Sequence, residues 1–218
     1  MQHYHPIVSL ITIFFTISLS GKAENNLTPL QEAINHQHKF TFVEIDITQT
    51  KEIPALKKPT TTKGKLWLAP QKMFRWDNGT PAKSTAVYNG NNVIFLNHQN
   101  MTAEKVSPSS RKAKVLMGSL GIGQEFASLD ALLENFTLVE TESANGRFIS
   151  SFSPKNARLR RVLEYLTLQV RLDKSHLERM QWKQKDGTVI TTVFHLPKTS
   201  KTIPPDIFKF DEKPYKWD

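Results

Sequence analysis

The chain has 218 residues, a formal charge of +9 and no cysteine. That length supports one substantial core, and without disulfides or thiolate metal sites burial must supply the stability. The basic balance suits anionic partners, although the export signal described next sets nucleic acid aside.

Residues 7–19 are an apolar run interrupted only by Ser and Thr, and the small residues of Gly21-Lys22-Ala23 follow. This is the form of a secretory signal peptide, too short for a membrane span, with cleavage expected after Ala23. The start lacks the usual Lys or Arg, and an uncleaved anchor is the rival reading. The expected division is a signal peptide at 1–23 and a single domain at 24–218. No cysteine follows the signal to accept a lipid, and no later run reaches transmembrane length, so a soluble extracytoplasmic protein is expected.

Residues 27–37 read as a short amphipathic helix, with Thr28 as N-cap and Pro29 at the first helical position. The period then changes. Residues 40–49 alternate, with Val43, Ile45 and Ile47 on one face, as in a strand with one buried side. Residues 57–63 read as a polar hairpin loop. Residues 64–77 contain two apolar, aromatic-rich segments split by Ala69-Pro70-Gln71-Lys72, which predicts two strands and a turn. Arg75 lies between Phe74 and Trp76, and a guanidinium in an oily strand needs acceptors or a route to water.

Four dipeptides that tolerate positive φ punctuate the chain: Asn78-Gly79, Asn89-Gly90, Asn145-Gly146 and Asp186-Gly187. Around them, 86–88 should pair with 93–96, 136–139 with 148–152, and 177–182 with 189–194. Between these blocks, Val115, Leu116, Met117 and Leu120 fall at helical spacing, Gly121 breaks the run, and Ser128 caps a second helix carrying Leu129, Leu132 and Leu133. Two short apolar helices between sheet blocks can be ordinary core or a movable lid over the open face of a curved sheet. Residues 197–205 read as a loop and 207–210 as a last short strand. The fold class is mainly β with short helices.

Catalytic patterns are missing. The glycines of 118–123 follow a helix, lack a P-loop lysine and miss the dinucleotide spacing. His36 and His38 have no further ligand at metal spacing, and no nucleophile elbow occurs. No enzyme activity, cofactor or metal is expected. The basic clusters Arg111, Lys112, Lys114 and Lys155, Arg158, Arg160, Arg161 read as a solvated face, or as a surface for anionic lipid headgroups or an acidic partner.

Gly64, Leu66, Leu68, Pro70 and Phe74-Arg75-Trp76 resemble the LolA-type periplasmic carriers of outer-membrane lipoproteins. Phe42 and Gln49 in the first strand, Pro81, Tyr88-Asn89-Gly90, the hairpin around Asp186-Gly187, and Phe208-Lys209-Phe210 extend the likeness over most of residues 24–218. Ala69 departs from the family's usual basic residue, residues 51–62 look like a longer polar insertion, and 211–218 show no clear extra hairpin. The resemblance implies an unclosed, strongly curved antiparallel β-barrel with a helical lid. It also implies cargo of lipoprotein acyl chains, an inner-membrane lipoprotein-releasing ABC transporter as donor and an outer-membrane acceptor, with the protein a monomer in the periplasm. Arg75 would match the family's arginine that hydrogen-bonds to the lid when empty, so Arg75→Leu would fold yet retain lipid. Candidate walls are Leu66, Leu68, Phe74, Trp76, Val87 and Phe95, and candidate lid residues are Leu116, Leu120, Leu132 and Leu133. Each reads equally as core, and the inward face of each strand is not fixed by sequence. A relative for another lipid or glycolipid, or a sensor domain on the same fold, is the alternative.

Overall fold

The computed structural model describes residues 26–37 and 39–217, so the expected signal peptide and His38 lie outside the described residues. Helix α1 (Thr28–Gln37) leads into β1 (Phe42–Glu52), β2 (Thr60–Leu68), β3 (Phe74–Asn78), β4 (Ser84–Tyr88), β5 (Val93–Asn97) and β6 (Thr102–Val106). Helices α2 (Arg111–Ser119) and α3 (Leu129–Asn135) follow, with a 3-10 turn between them. Next come β7 (Phe136–Ala144), β8 (Arg147–Pro154), the short α4 (Ala157–Arg160), β9 (Leu163–Arg171), β10 (His176–Gln184) and β11 (Val189–Phe194). Two short strands, β12 (Lys198–Ser200) and β13 (Lys216–Trp217), close the chain.

All thirteen strands belong to one sheet in the order β13-β6-β5-β4-β3-β2-β1-β11-β10-β9-β8-β7, with β12 beside the start of β1. The pairs are antiparallel except β13 with β6. Among the described residues β7 and the β6–β13 end remain unpaired with each other, so the sheet is unclosed. This order dictates where the helices lie. β6 is near one edge and β7 is the other, so the chain between them must cross the sheet. α2 and α3 make that crossing and bury Ala113, Leu116, Leu120 and Leu132 on one face. α1 joins them, burying Leu27, Leu30, Ala33 and Ile34 in the same cluster. The cover therefore has three helices, one more than the sequence suggested.

The expected turns and hairpins are present. Asn145 and Gly146 both have positive φ (52° and 72°), the geometry that a two-residue hairpin of this twist requires. Gly64 is required by close approach, because a Cβ there would meet the Asp77 carbonyl oxygen at 2.4 Å. Ser110 and Ser128 cap α2 and α3, accepting from Ala113 N at 3.2 Å and Ala131 N at 3.0 Å.

Four expectations need correction. The α1 cap lies upstream of Thr28: the Leu27 carbonyl takes the first helical bond from Gln31 N, and Asn26 Oδ1 accepts from Thr28 N at 3.0 Å. Residues 60–63 are strand rather than loop, since Lys51 pairs with Thr60 and the apparent insertion lengthens the β1–β2 hairpin. Toward the C-terminus the expectation inverts: residues 198–200, expected in a loop, form β12, and 207–210, expected as a strand, are the end of a turn and irregular backbone. β6 and β9 were not anticipated. In β6 only Ala103 is buried, and charges break the pattern; in β9 the alternation of Leu166, Leu168 and Val170 is legible, but no turn dipeptide introduces it.

Candidate functional site

Register separates the two faces of the sheet. Residues opposite one another on antiparallel strands point to the same side, and neighbours along a strand point to opposite sides. Ile45, Leu66, Trp76, Ala86 and Phe95 form one cross-strand row, and Val43, Leu68, Phe74, Tyr88 and Val93 the next. Both rows lie under the helices and share one apolar cluster with Leu116, Leu120, Leu132 and Leu133. Of the expected walls, Leu66, Leu68, Phe74, Trp76 and Phe95 take this concave side.

The concave side is closed. A cavity of about 40 Å³ remains where Leu66, Leu68 and Ile45 face Leu120, Ile122 and His176. That volume suits a few waters and is far too small for an acyl chain. Any long hydrocarbon must displace the helices. Burial holds His176 below its usual imidazole value, against the pull of the Phe194 carbonyl, which accepts from Nε2 at 3.1 Å.

Polar ties between helices and sheet are few and weak. Thr192 Oγ1 donates to the Ser119 carbonyl at the end of α2 at 3.4 Å, and Gln49 Nε2 donates to Thr192 Oγ1 at 3.1 Å. At the other end of α2, Lys112 pairs with Glu104 and lies 4.4 Å from the Phe95 ring centre. Trp182 meets Phe126 and Phe136 edge-on, with ring centres 6.1 and 6.3 Å apart. The indole N–H groups of Trp76 and Trp182 are buried without a hydrogen-bond acceptor among the described residues, so the apolar interior carries two unspent donors.

Arg75 lies on the opposite, convex side, in register with Trp67 and Val87. Its Nε and Nη2 donate to Asp77 Oδ1 and Oδ2 at 2.9 and 3.1 Å, an in-strand pair two residues apart. Its Nη1 donates to the carbonyls of Ile207 and Lys209 at 3.3 and 3.4 Å, and its Cζ stands 5.8 Å from the Trp67 ring centre. Thr85 donates to Asp77 at 2.7 Å and bonds His98 Nε2 at 2.8 Å, and His98 Nδ1 meets the Tyr215 hydroxyl at 2.7 Å. Phe210 and Tyr215 pack on Ile94, Leu96 and Ala103. The C-terminal segment is thus strapped across the convex face from β1 to β6.

The sequence matches the family described as outer membrane lipoprotein carrier protein LolA over residues 38–211. The chain belongs to the LolA family. No curated protein matches it. Among solved structures, an uncharacterized conserved protein from Thermus thermophilus is similar with a TM-score of 0.54 at 8% identity, over 88% of this chain and 98% of that one. A LolA superfamily protein from Nitrosomonas europaea gives 0.43 at 8% identity, over 84% and 96%. A putative outer membrane lipoprotein-sorting protein domain from Vibrio parahaemolyticus gives 0.45 at 7% identity, over 84% and 96%. At 8% identity the likeness to the Thermus thermophilus protein is one of fold alone.

Against the LolA pattern, two expected placements change. Arg75 does not reach the helices, because it alternates with Phe74 and Trp76, which do; it secures the C-terminal strap instead. Val87, its cross-strand partner, is fully buried on the convex side and lines no part of the interior beneath the helices. The hydrogen bond from the sheet to the end of α2 is made by Thr192, which the sequence reading passed over. Its signal was a pair of threonines at 191 and 192 inside an otherwise apolar strand.

Proposed function

We propose that this LolA-family chain is a periplasmic carrier of lipoproteins, which hides their acyl chains between the concave sheet face and its helices and hands them on toward the outer membrane. The observation that carries the reading is the character of the cover. Three helices bury an apolar face almost wholly through apolar contacts. Such contacts can be exchanged for hydrocarbon at little net cost, since one buried methylene replaces another at about 0.8 kcal/mol each. The chain therefore needs no nucleotide of its own to bind and release. Empty, the helices fill the space; loaded, lipid fills it and the helices stand away. The role requires no catalysis, metal or cofactor, and among the described residues no cluster of three or more metal-type ligands occurs. An inner-membrane lipoprotein-releasing transporter would load the chain and an outer-membrane acceptor would empty it.

The test is to purify the protein from the periplasm of its host, extract it with organic solvent and identify what accompanies it by mass spectrometry. Acylated lipoprotein peptides support the reading. Free lipid or glycolipid without attached protein would move it to another cargo, and nothing apolar would overturn carriage.

A further inference from the structure

One rim of the sheet has a character that lipid carriage does not require. The ends of β1, β8 and β10 and the starts of β2, β9 and β11 meet there, joined by residues 53–59, 155–162 and 185–188. Contacts between the loops make them one surface. Lys185 N donates to the Val162 carbonyl at 3.0 Å, and a Cβ on Gly187 would stand 2.9 Å from Pro54 Cγ. The end of α3 abuts the same surface, since Lys155 N donates to the Asn135 carbonyl and Lys155 Nζ to that of Leu133.

The rim is strongly basic. Lys57, Lys58, Arg158, Arg160, Arg161 and Lys185 are exposed, and none forms an ion pair among the described residues. Nearby carboxylates are fewer: Glu164 is taken by Lys183, while Glu52, Glu134 and Asp186 remain. Within this charge stand two aliphatic side chains, Leu56 and Val162, 52% and 54% exposed. Six exposed cations without ion-pair partners on one rim repel one another, and an exposed leucine wastes burial, so stability gains nothing from either alone. Together they match an anionic bilayer, where cations meet headgroup phosphates and short aliphatic side chains enter the interface.

We infer that this rim docks on the surface of an anionic membrane, holding the end of α3, and with it one edge of the lid, against the headgroups. A folded acidic protein would satisfy the cations but would leave Leu56 and Val162 needing pockets. A bilayer accepts them anywhere on its surface. This rim lies outside the covered concave face, so docking there does not depend on which cargo the protein carries.

Co-sedimentation with vesicles tests it. The purified protein should sediment with phosphatidylethanolamine–phosphatidylglycerol vesicles at low salt, stay in solution with phosphatidylcholine vesicles, and dissociate as salt rises. The Arg158→Gln, Arg160→Gln, Arg161→Gln variant should lose about 100-fold in partitioning, at about fivefold per cation. Leu56→Ser should lose a few-fold at unchanged salt dependence. Arg111→Gln with Lys114→Gln, on α2 away from this rim, should bind as the parent does. No sedimentation with the anionic vesicles at low salt overturns the inference, and so does an equal loss in the α2 variant. Binding of soluble polyglutamate without binding of vesicles also overturns it, and assigns the rim to an acidic protein.

Discussion

The two faces of this sheet are both covered, and by opposite means. The concave face is covered by helices through hydrocarbon, with a 3.4 Å hydroxyl–carbonyl bond and an exposed Lys112–Glu104 pair at the two ends of α2. The convex face is covered by the C-terminal strap through directional bonds: Arg75 to two carbonyls, His98 to Tyr215, and backbone pairing of β13 with β6. Apolar contact is non-directional and any hydrocarbon can replace it. Hydrogen bonds to charged groups are directional, and an unpaired partner is costly. On the function proposed above, the first cover is the one that can be exchanged and the second is the one that stays. The arginine within an apolar motif belongs to the second.

The largest expected effect comes from breaking the fixed side. Asp77 satisfies Arg75 twice and Thr85 once, and both members of the ion pair are largely buried, with side chains 22% and 18% exposed. Asp77→Ala leaves the guanidinium without its counter-charge and should cost about 2–3 kcal/mol, a little below the range for a fully buried pair because both groups retain some water. Arg75→Leu should free the strap while leaving the helices in place. Limited proteolysis should cut first within residues 203–217 in both variants. If Arg75→Leu instead changes lipid retention with the strap still protected, the separation of the two faces is wrong.

Acid should attack the two faces in separate windows. Glu178, on the convex side, accepts from Arg147 at 2.6 and 3.2 Å and from Gln169 at 2.7 Å. The Arg147 hydrogen bonds, and then that of Gln169, hold it down at about 2 against an ordinary 4.5. Its stabilisation is complete above the ordinary value and fades as pH falls from there toward 2. Because Arg147 is 42% exposed, solvent screening discounts much of this contribution. His176, beside the concave cavity, is also held low, chiefly by burial. The unfolded chain takes up its proton first, so stability starts to fall as pH drops through the ordinary 6.5. Urea titrations across pH should show both declines. Glu44, Asp173 and Asp186 are also held below the ordinary carboxylate range by their hydrogen bonds, so Glu178→Gln should shrink the lower decline without abolishing it and should spare the upper; loss of both together would show that the faces are not independent.

Much of this arrangement was legible in the sequence. Strand alternation in β1 and the four turn dipeptides gave the hairpins, because period and positive φ are local properties. The spacing of Val115, Leu116, Met117 and Leu120 and the capping Ser128 marked the lid helices for the same reason, while the Ser110 cap of α2 was found only in the structure. The side on which each strand residue falls was not legible, since a one-residue change of register reverses every side chain. Arg75 and Val87 show the cost. Both sit among aromatic and aliphatic neighbours, yet each faces away from them, and only pairing with β2 and β5 reveals it. The strap escaped notice for another reason. Its anchors, His98 and Tyr215, are 117 residues apart, and no periodicity links them.

The smallest expected effect probes the detachable side directly. Thr192 is fully buried and receives one hydrogen bond while giving one to α2. Thr192→Val keeps its shape, removes the donor to Ser119 and leaves Gln49 Nε2 without its acceptor. The bond given up to Ser119 is long and Gln49 is only part-buried and can turn toward water, so the combined loss should be about 1 kcal/mol, the usual net value of one such contact. The change should appear as local opening before it appears in global stability, because α2 rests on the sheet by few other polar contacts. Hydrogen exchange across residues 111–119 should accelerate up to about fivefold, the factor that 1 kcal/mol allows, while residues 203–217 exchange as in the parent. Equal acceleration in both segments would mean that the two covers rise and fall together, and that the helices are as firmly part of the fold as the strap.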